Sequence, residues 1–112
     1  MTQYHVRWTA CARDDLEEII DSIYQTLPEY AIKELDKIED KANDLDTFPE
    51  KYRVVPELRE FGYLKYRQLL VDYWRIIYKV EENNVFIMLV IDTRRDLTDI
   101  LLKELLFRES VE

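Results

Sequence analysis

Tyr4-His5-Val6-Arg7-Trp8 alternates in the manner of a short strand, and Thr9 follows it at a position suited to cap a helix. From there Ala12, Leu16, Ile19, Ile20, Ile23, Tyr24 and Leu27 recur at helical spacing. Asp14, Asp15, Glu17 and Glu18 fall in the opening turns, where the helix dipole favours negative charge. Pro28 interrupts this stripe, and a second one runs through Ala31, Leu35, Ile38, Ala42 and Leu45. Lys33, Glu34, Asp36, Lys37, Glu39 and Lys41 cover its other face. The pattern predicts two amphipathic helices in an antiparallel hairpin. Pro49 ends the second, because the residue before a proline is steered away from helical geometry.

The period then changes. Tyr66-Arg67-Gln68-Leu69-Leu70-Val71, Trp74-Arg75-Ile76-Ile77-Tyr78-Lys79-Val80 and Val85-Phe86-Ile87-Met88-Leu89-Val90-Ile91 are β-rich runs, the last two joined by a tight hairpin at Glu81-Glu82-Asn83-Asn84. Arg53-Val54-Val55 adds an extended piece before Pro56, and Gly62 marks a turn. Finally Asp96 can cap a helix bearing Leu97, Ile100, Leu101, Leu102, Leu105, Leu106 and Phe107, with Asp99 at the capping-box position. Those apolar residues occupy more than one face. A surface helix needs only one stripe, so either a partner chain covers the surplus or the helix is wedged deep in its own domain. The expected fold is α+β, in the order β-α-α-β-β-β(-α), with an antiparallel sheet, an N-terminal helical hairpin and a C-terminal helix. One domain spans residues 1–112.

Composition narrows the class. With 47% apolar residues in 112, the chain has enough to bury a core, which excludes disorder as the main state. A single cysteine allows no internal disulfide, and no segment has signal-peptide character, so the expected location is the cytoplasm. The longest apolar run, residues 85–91, is too short to span a membrane. The net charge of −8 is unevenly placed: residues 1–50 carry five Lys and Arg against 13 Asp and Glu, whereas residues 51–112 carry 11 of each. Residues 51–79 hold seven basic side chains and three acidic ones, a local basic stretch in an acidic protein.

Most familiar chemistry is missing. His5 is the only histidine, no second His or Cys lies near it in sequence, and no zinc spacing, phosphate-cradling glycine loop or nucleophile elbow occurs. No metal or cofactor is expected. Cys11 reads as a small core residue, and the acidic cluster of the first helix as a solvated face without the enclosure that raises a carboxyl pKa. Arginine and tyrosine remain: Tyr66, Arg67, Tyr73, Arg75 and Tyr78 on the strands, then Arg94 and Arg95 beyond them. Such residues bind phosphates and stack on bases, and in a nuclease without histidine an arginine can stabilise the phosphorane while a tyrosine moves protons. They serve equally well as sheet-face aromatics and structural arginines.

These residues, in this order of elements, resemble the RelE/ParE family of toxins from type II toxin–antitoxin systems. Three segments carry the likeness: Trp8-Thr9 through Ala12, Asp15-Leu16 and Ile23-Tyr24; Val54-Val55-Pro56-Glu57-Leu58-Arg59-Glu60 with the strands through Tyr73-Trp74-Arg75-Ile76-Ile77-Tyr78-Lys79-Val80; and Val90-Ile91-Asp92-Thr93-Arg94-Arg95-Asp96-Leu97. The resemblance implies a bacterial toxin of the plasmid-stabilisation type, inactive while a cognate antitoxin wraps around it, as a hetero-oligomer or homodimer. Leu16, Ile20, Leu101 and Leu105 are the expected antitoxin contacts. Family members divide between ParE-like inhibition of DNA gyrase and RelE-like cleavage of mRNA on the ribosome. Arg67, Arg75, Tyr78, Arg94 and Arg95 are the candidate catalytic residues for the second activity. No tyrosine follows Tyr78 and no histidine follows His5, and the net charge of −8 opposes docking on ribosomal RNA. Both points favour gyrase inhibition. RNA cleavage stands as the alternative, and a non-toxic, antitoxin-binding regulatory module as the third reading. Trp74 separates Tyr73 from Arg75 where the family has adjacent Tyr and Arg. If Arg75 faces the core it is structural, and Arg67, Arg94 and Arg95 remain as surface candidates.

Overall fold

The computed structural model describes residues 3–93 and 98–111. Strand β1 (His5–Trp8) leads into helix α1 (Ala10–Tyr24) and helix α2 (Pro28–Asn43). Two 3₁₀ turns (Asp44–Asp46 and Pro49–Lys51) and a one-turn helix α3 (Pro56–Arg59) follow. Strands β2 (Tyr66–Val71), β3 (Trp74–Glu81) and β4 (Asn84–Asp92) precede the last helix, α4 (Thr98–Val111). Thr9 does cap α1: its Oγ1 accepts from the Ala12 N–H at 3.2 Å and donates to the Ile87 carbonyl at 2.8 Å, fastening the helix start to β4. Because α1 starts at Ala10, its first turn carries no acid, and the expected acidic cluster begins one turn later.

The sheet runs β1-β4-β3-β2. Strands β2, β3 and β4 form the expected antiparallel meander, but β1 lies parallel to β4, so the sheet is mixed rather than wholly antiparallel. Alternation in Tyr4-His5-Val6-Arg7-Trp8 specifies a strand, not its direction. The direction is set by where the helical hairpin returns the chain. Both hairpins turn through a residue with positive φ, Asp72 and Glu82, and Gly62 takes φ 81° as a turn glycine. Arg53-Val54-Val55 only brushes the edge of β2, through a bridge between Val54 and Arg67.

Both faces of the sheet are covered. Helices α1 and α2 pack Ala12, Leu16, Ile38 and Ala42 against Leu69, Ile76, Tyr78 and Ile87. On the other face Leu58 of α3 and Leu101 and Leu105 of α4 pack against Ile77, Met88 and Leu89. Burial on both sides explains why β4 reads as a continuous apolar run. A bulge lets Met88 and Leu89 face the same side, and the register shifts by one between the Ile77–Leu89 and Tyr78–Ile87 pairs. One polar position departs from the sequence pattern. Glu34, expected on the solvent face of α2, is buried at 1% exposure, level with Ala31 and Ile38.

Candidate functional site

The arginines and tyrosines of the strands are engaged by the fold. Tyr78 is fully buried and its hydroxyl donates to the Pro49 carbonyl. Arg67, opposite it on β2, donates from Nη1 to the Tyr52 carbonyl at 2.6 Å. The pair therefore staples the segment after α2, where Phe48 is left-handed and Pro49 lacks an N–H, to the sheet. Burial pushes the Tyr78 phenol far above its ordinary value, with Arg67 pulling the other way, so the hydroxyl keeps its proton at neutral pH. Arg75 faces α3 and donates from Nη1 to both Glu57 oxygens, at 2.8 and 2.9 Å. Burial of the Glu57 carboxyl works against its charge, but the Arg75 hydrogen bond, a backbone hydrogen bond and the charges of Arg75 and Arg53 together outweigh it and lower the pKa. Arg75 is thus the structural arginine that the sequence left open. Lys79, counted from sequence in the basic stretch, is also inside, paired with Glu81 at 3.0 Å and Glu109 at 2.9 Å. Arg94 and Arg95 lie outside the described residues, as do the Asp96 cap and Leu97.

A broad concavity lies elsewhere. A cleft of about 670 Å³ opens between α1, the end of β4 and α4. At its base Arg108 grips Asp15 with two hydrogen bonds, Nη1 to Oδ2 at 2.6 Å and Nη2 to Oδ1 at 3.0 Å. The pair also completes the edge of β4 where β1 stops: the Val90 N–H donates to Asp15 at 3.1 Å and Arg108 donates to the Met88 carbonyl at 2.8 Å. Burial works against the Arg108 charge, but Asp15, with Cys11 and Glu104 adding to it, outweighs burial and raises the guanidinium pKa. Apolar walls come from Ile19, Ile23, Trp74 and Ile100, while Glu18 and Glu104 stand on opposite rims. Near the end of α4, Glu109 accepts from the Tyr66 hydroxyl at 2.6 Å and pairs with Lys65 and Lys79. Burial opposes that carboxylate, yet the three donors hold its pKa down at about 2. Neither Asp15–Arg108 nor the Glu109 cluster was visible in sequence, since the partners of each pair lie far apart along the chain.

The four leucine and isoleucine positions expected to meet an antitoxin are distributed unequally. Leu16 and half-buried Ile20 line a crevice of about 270 Å³ between α1 and α2, with Leu35. Leu101 and Leu105 are already covered by their own core. The next residues on α4, Leu106 and Phe107, are 58% and 60% exposed, so the surplus apolar face sits one position further round the helix. Tyr63 meets Leu102 and Leu106 in a shallow crevice beside it. Among the described residues no group of three or more His, Cys, Asp or Glu side chains could hold a metal ion, and no helix is long and apolar enough to cross a membrane.

A family model described as the ParE toxin of the type II toxin–antitoxin system parDE matches residues 6–97. This chain belongs to the ParE toxin family. The match takes in β1, the helical hairpin and the whole meander, and stops just before α4. Among solved structures, the ParE-family fold is similar to a chain of the chromosomal ParDE toxin–antitoxin system from P. aeruginosa, with TM-score 0.67 and 19% identity, over 82% of this chain and 98% of that one. It is also similar to a chain of the RelBE2 toxin–antitoxin complex from Mycobacterium tuberculosis, with TM-score 0.56 and 22% identity, over 81% of this chain and 99% of that one. No curated protein sequence matches.

Proposed function

We propose that this ParE-family toxin is held inactive by a cognate antitoxin in the cytoplasm and that, when free, it inhibits DNA gyrase. The observation that carries the choice of target is the engagement of Arg75 and Tyr78. An RNA-cleaving centre needs a cation near the scissile phosphate and a group able to exchange a proton. Arg75 is committed to Glu57, and the Tyr78 hydroxyl is buried against the Pro49 carbonyl with its pKa raised. The net charge of −8 adds repulsion from ribosomal RNA. The antitoxin part of the proposal is supported by the exposed apolar faces of α4 and by the family itself. The test is induced expression in a bacterial host, with growth, plasmid topology and mRNA ends followed in the same cells. Growth arrest with altered supercoiling and intact mRNA is expected. Ribosome-dependent mRNA cleavage would transfer the reading to RNA hydrolysis, and unimpeded growth would leave an antitoxin-binding module without toxicity.

A further inference from the structure

All of the net charge of −8 resides in residues 1–50, whose helices α1 and α2 cover one face of the sheet. Residues 51–112 carry 11 basic and 11 acidic side chains and supply α3 and α4 on the opposite face. On that neutral side the turn between α3 and β2 leaves Phe61, Tyr63 and Leu64 exposed at 56%, 45% and 61%. Tyr63 lines a crevice with Leu102 and Leu106, so the apolar surface continues from the turn onto α4. This flank is distinct from the cleft. Leu106 shares a helix face with Leu102, whereas Phe107, about 100° further round, shares one with Ile100 on the cleft side. We infer that the flank made by Phe61, Tyr63, Leu64 and Leu106 docks on the same flank of a second copy of this chain, whatever the toxin acts on.

Three observations argue for that occupant. The first is area: at about 200 Å² for a whole residue of this size, the four exposures amount to about 400 Å² of apolar surface per copy. Two copies bring about 800 Å², and since homodimer interfaces are about 65% apolar, the whole contact comes to about 1,200 Å², the lower bound for a stable one. The second is charge. Arg59, Lys65 and Lys103 border the patch against Glu60, Asp99 and Glu109, an even balance, and a twofold contact here keeps both acidic hairpins on the outside with a sheet between each and the interface. The third is shape. The crevice beside Tyr63 holds only about 20 Å³, too little for an anchoring side chain of a docked helix. An added strand is blocked as well, because the neighbouring edge of β2 already pairs with the chain before α3, Val55 N–H to the Tyr66 carbonyl at 2.9 Å and Gln68 N–H to the Arg53 carbonyl at 3.0 Å. A nearly flat, neutral, apolar patch fits its own copy.

The test is sedimentation velocity on the purified full chain from about 1 to about 100 µM, where a monomer-to-dimer shift is expected. Leu106→Glu and Leu64→Lys, both at well-exposed positions, are each expected to raise the dissociation constant at least about tenfold. One adds negative charge and the other positive, so loss in both reports the apolar contact. Leu27→Glu, at a leucine of the helical hairpin exposed to 56%, is expected to change it less than about twofold. Raising salt from about 50 to about 500 mM is expected to change it less than about threefold, because the facing surfaces are neutral. A chain that stays monomeric at about 100 µM overturns the inference. If Leu106→Glu then also escapes neutralisation by the chain encoded beside the toxin, the flank belongs to that partner in place of a second copy. A dimer unmoved by both substitutions, one weakened as much by Leu27→Glu, or one that tightens strongly with salt would place the contact elsewhere and overturn it too.

Discussion

Breaking the Asp15–Arg108 pair should unlatch α4 from the rest of the fold. The two side chains are only 17% and 11% exposed, and each does double service, holding its partner and completing a backbone group of β4. Removing Arg108 leaves the Asp15 carboxylate with only the Val90 N–H, a loss of about 3–5 kcal/mol in a dry interior, whereas removing Asp15 leaves Arg108 its contact with Glu104 at 3.2 Å. The cleft admits some water, so about 3 kcal/mol is the figure for Arg108→Met, which also strips the Met88 carbonyl of its donor. For a domain of this length that corresponds to a fall in melting temperature of roughly 10–15 °C. Asp15→Leu/Arg108→Met removes both charges together. It should cost less than Arg108→Met, because the Val90 N–H and the Met88 carbonyl are left unpaired at about 1 kcal/mol each while Glu104, which also loses Arg108, is exposed enough to turn to water. Urea denaturation at neutral pH, followed by tryptophan fluorescence, reads all four proteins, since Trp74 lines the same cleft. Single-variant losses below about 1 kcal/mol, or a double variant whose loss equals the sum of the singles, would refute the reasoning.

Glu109 carries an acid-side signature. Its folded pKa of about 2 lies below the ordinary 4.5, so its contribution is complete above about pH 4.5 and is lost as pH falls toward 2. The stability gap between wild type and Glu109→Gln, measured by denaturation across a pH series, should therefore close over that interval, and a constant gap would contradict the ion cluster. Tyr78→Phe should lose about 1 kcal/mol from the missing bond to Pro49 in a thermal melt while growth arrest persists unchanged. Abolished arrest in a variant with native circular dichroism would instead make the phenol part of the activity. Glu34 has a buried oxygen, Oε2, without a hydrogen-bond partner, and its ion pair with Lys37 is long at 3.6 Å. Glu34→Met should be neutral or stabilise by about 1 kcal/mol in urea, and a clear loss would contradict that account.

How much of this was legible in the sequence depends on whether the deciding interaction was local. Thr9 as a cap, the two helical stripes, the Glu82-Asn83 hairpin and the turn at Gly62 are set by near neighbours, and all could be read directly. The parallel pairing of β1 with β4 could not, because alternation carries no direction. Glu34 was misplaced for a subtler reason. The positions Ala31, Glu34, Ile38 and Ala42 fit helical spacing as well as the set containing Leu35, and chemistry tipped the reading toward leucine. The last helix carries apolar residues on more than one face, but the rotation that buries Leu101 and Leu105 and exposes Leu106 and Phe107 is fixed by packing on Met88 and Leu89, which spacing alone does not specify. The same limit applies to the site. Arg67, Arg75 and Tyr78 have residue types suited to phosphate chemistry, and only their partners Tyr52, Glu57 and Pro49 show that the fold uses them.

The central claim is most directly tested with purified toxin and purified DNA gyrase in a plasmid supercoiling reaction, run beside translating ribosomes loaded with a defined mRNA. The account expects supercoiling to fall with toxin concentration, with Tyr78→Phe equally potent, while the mRNA stays intact. Undiminished supercoiling together with mRNA cut on the ribosome would contradict it.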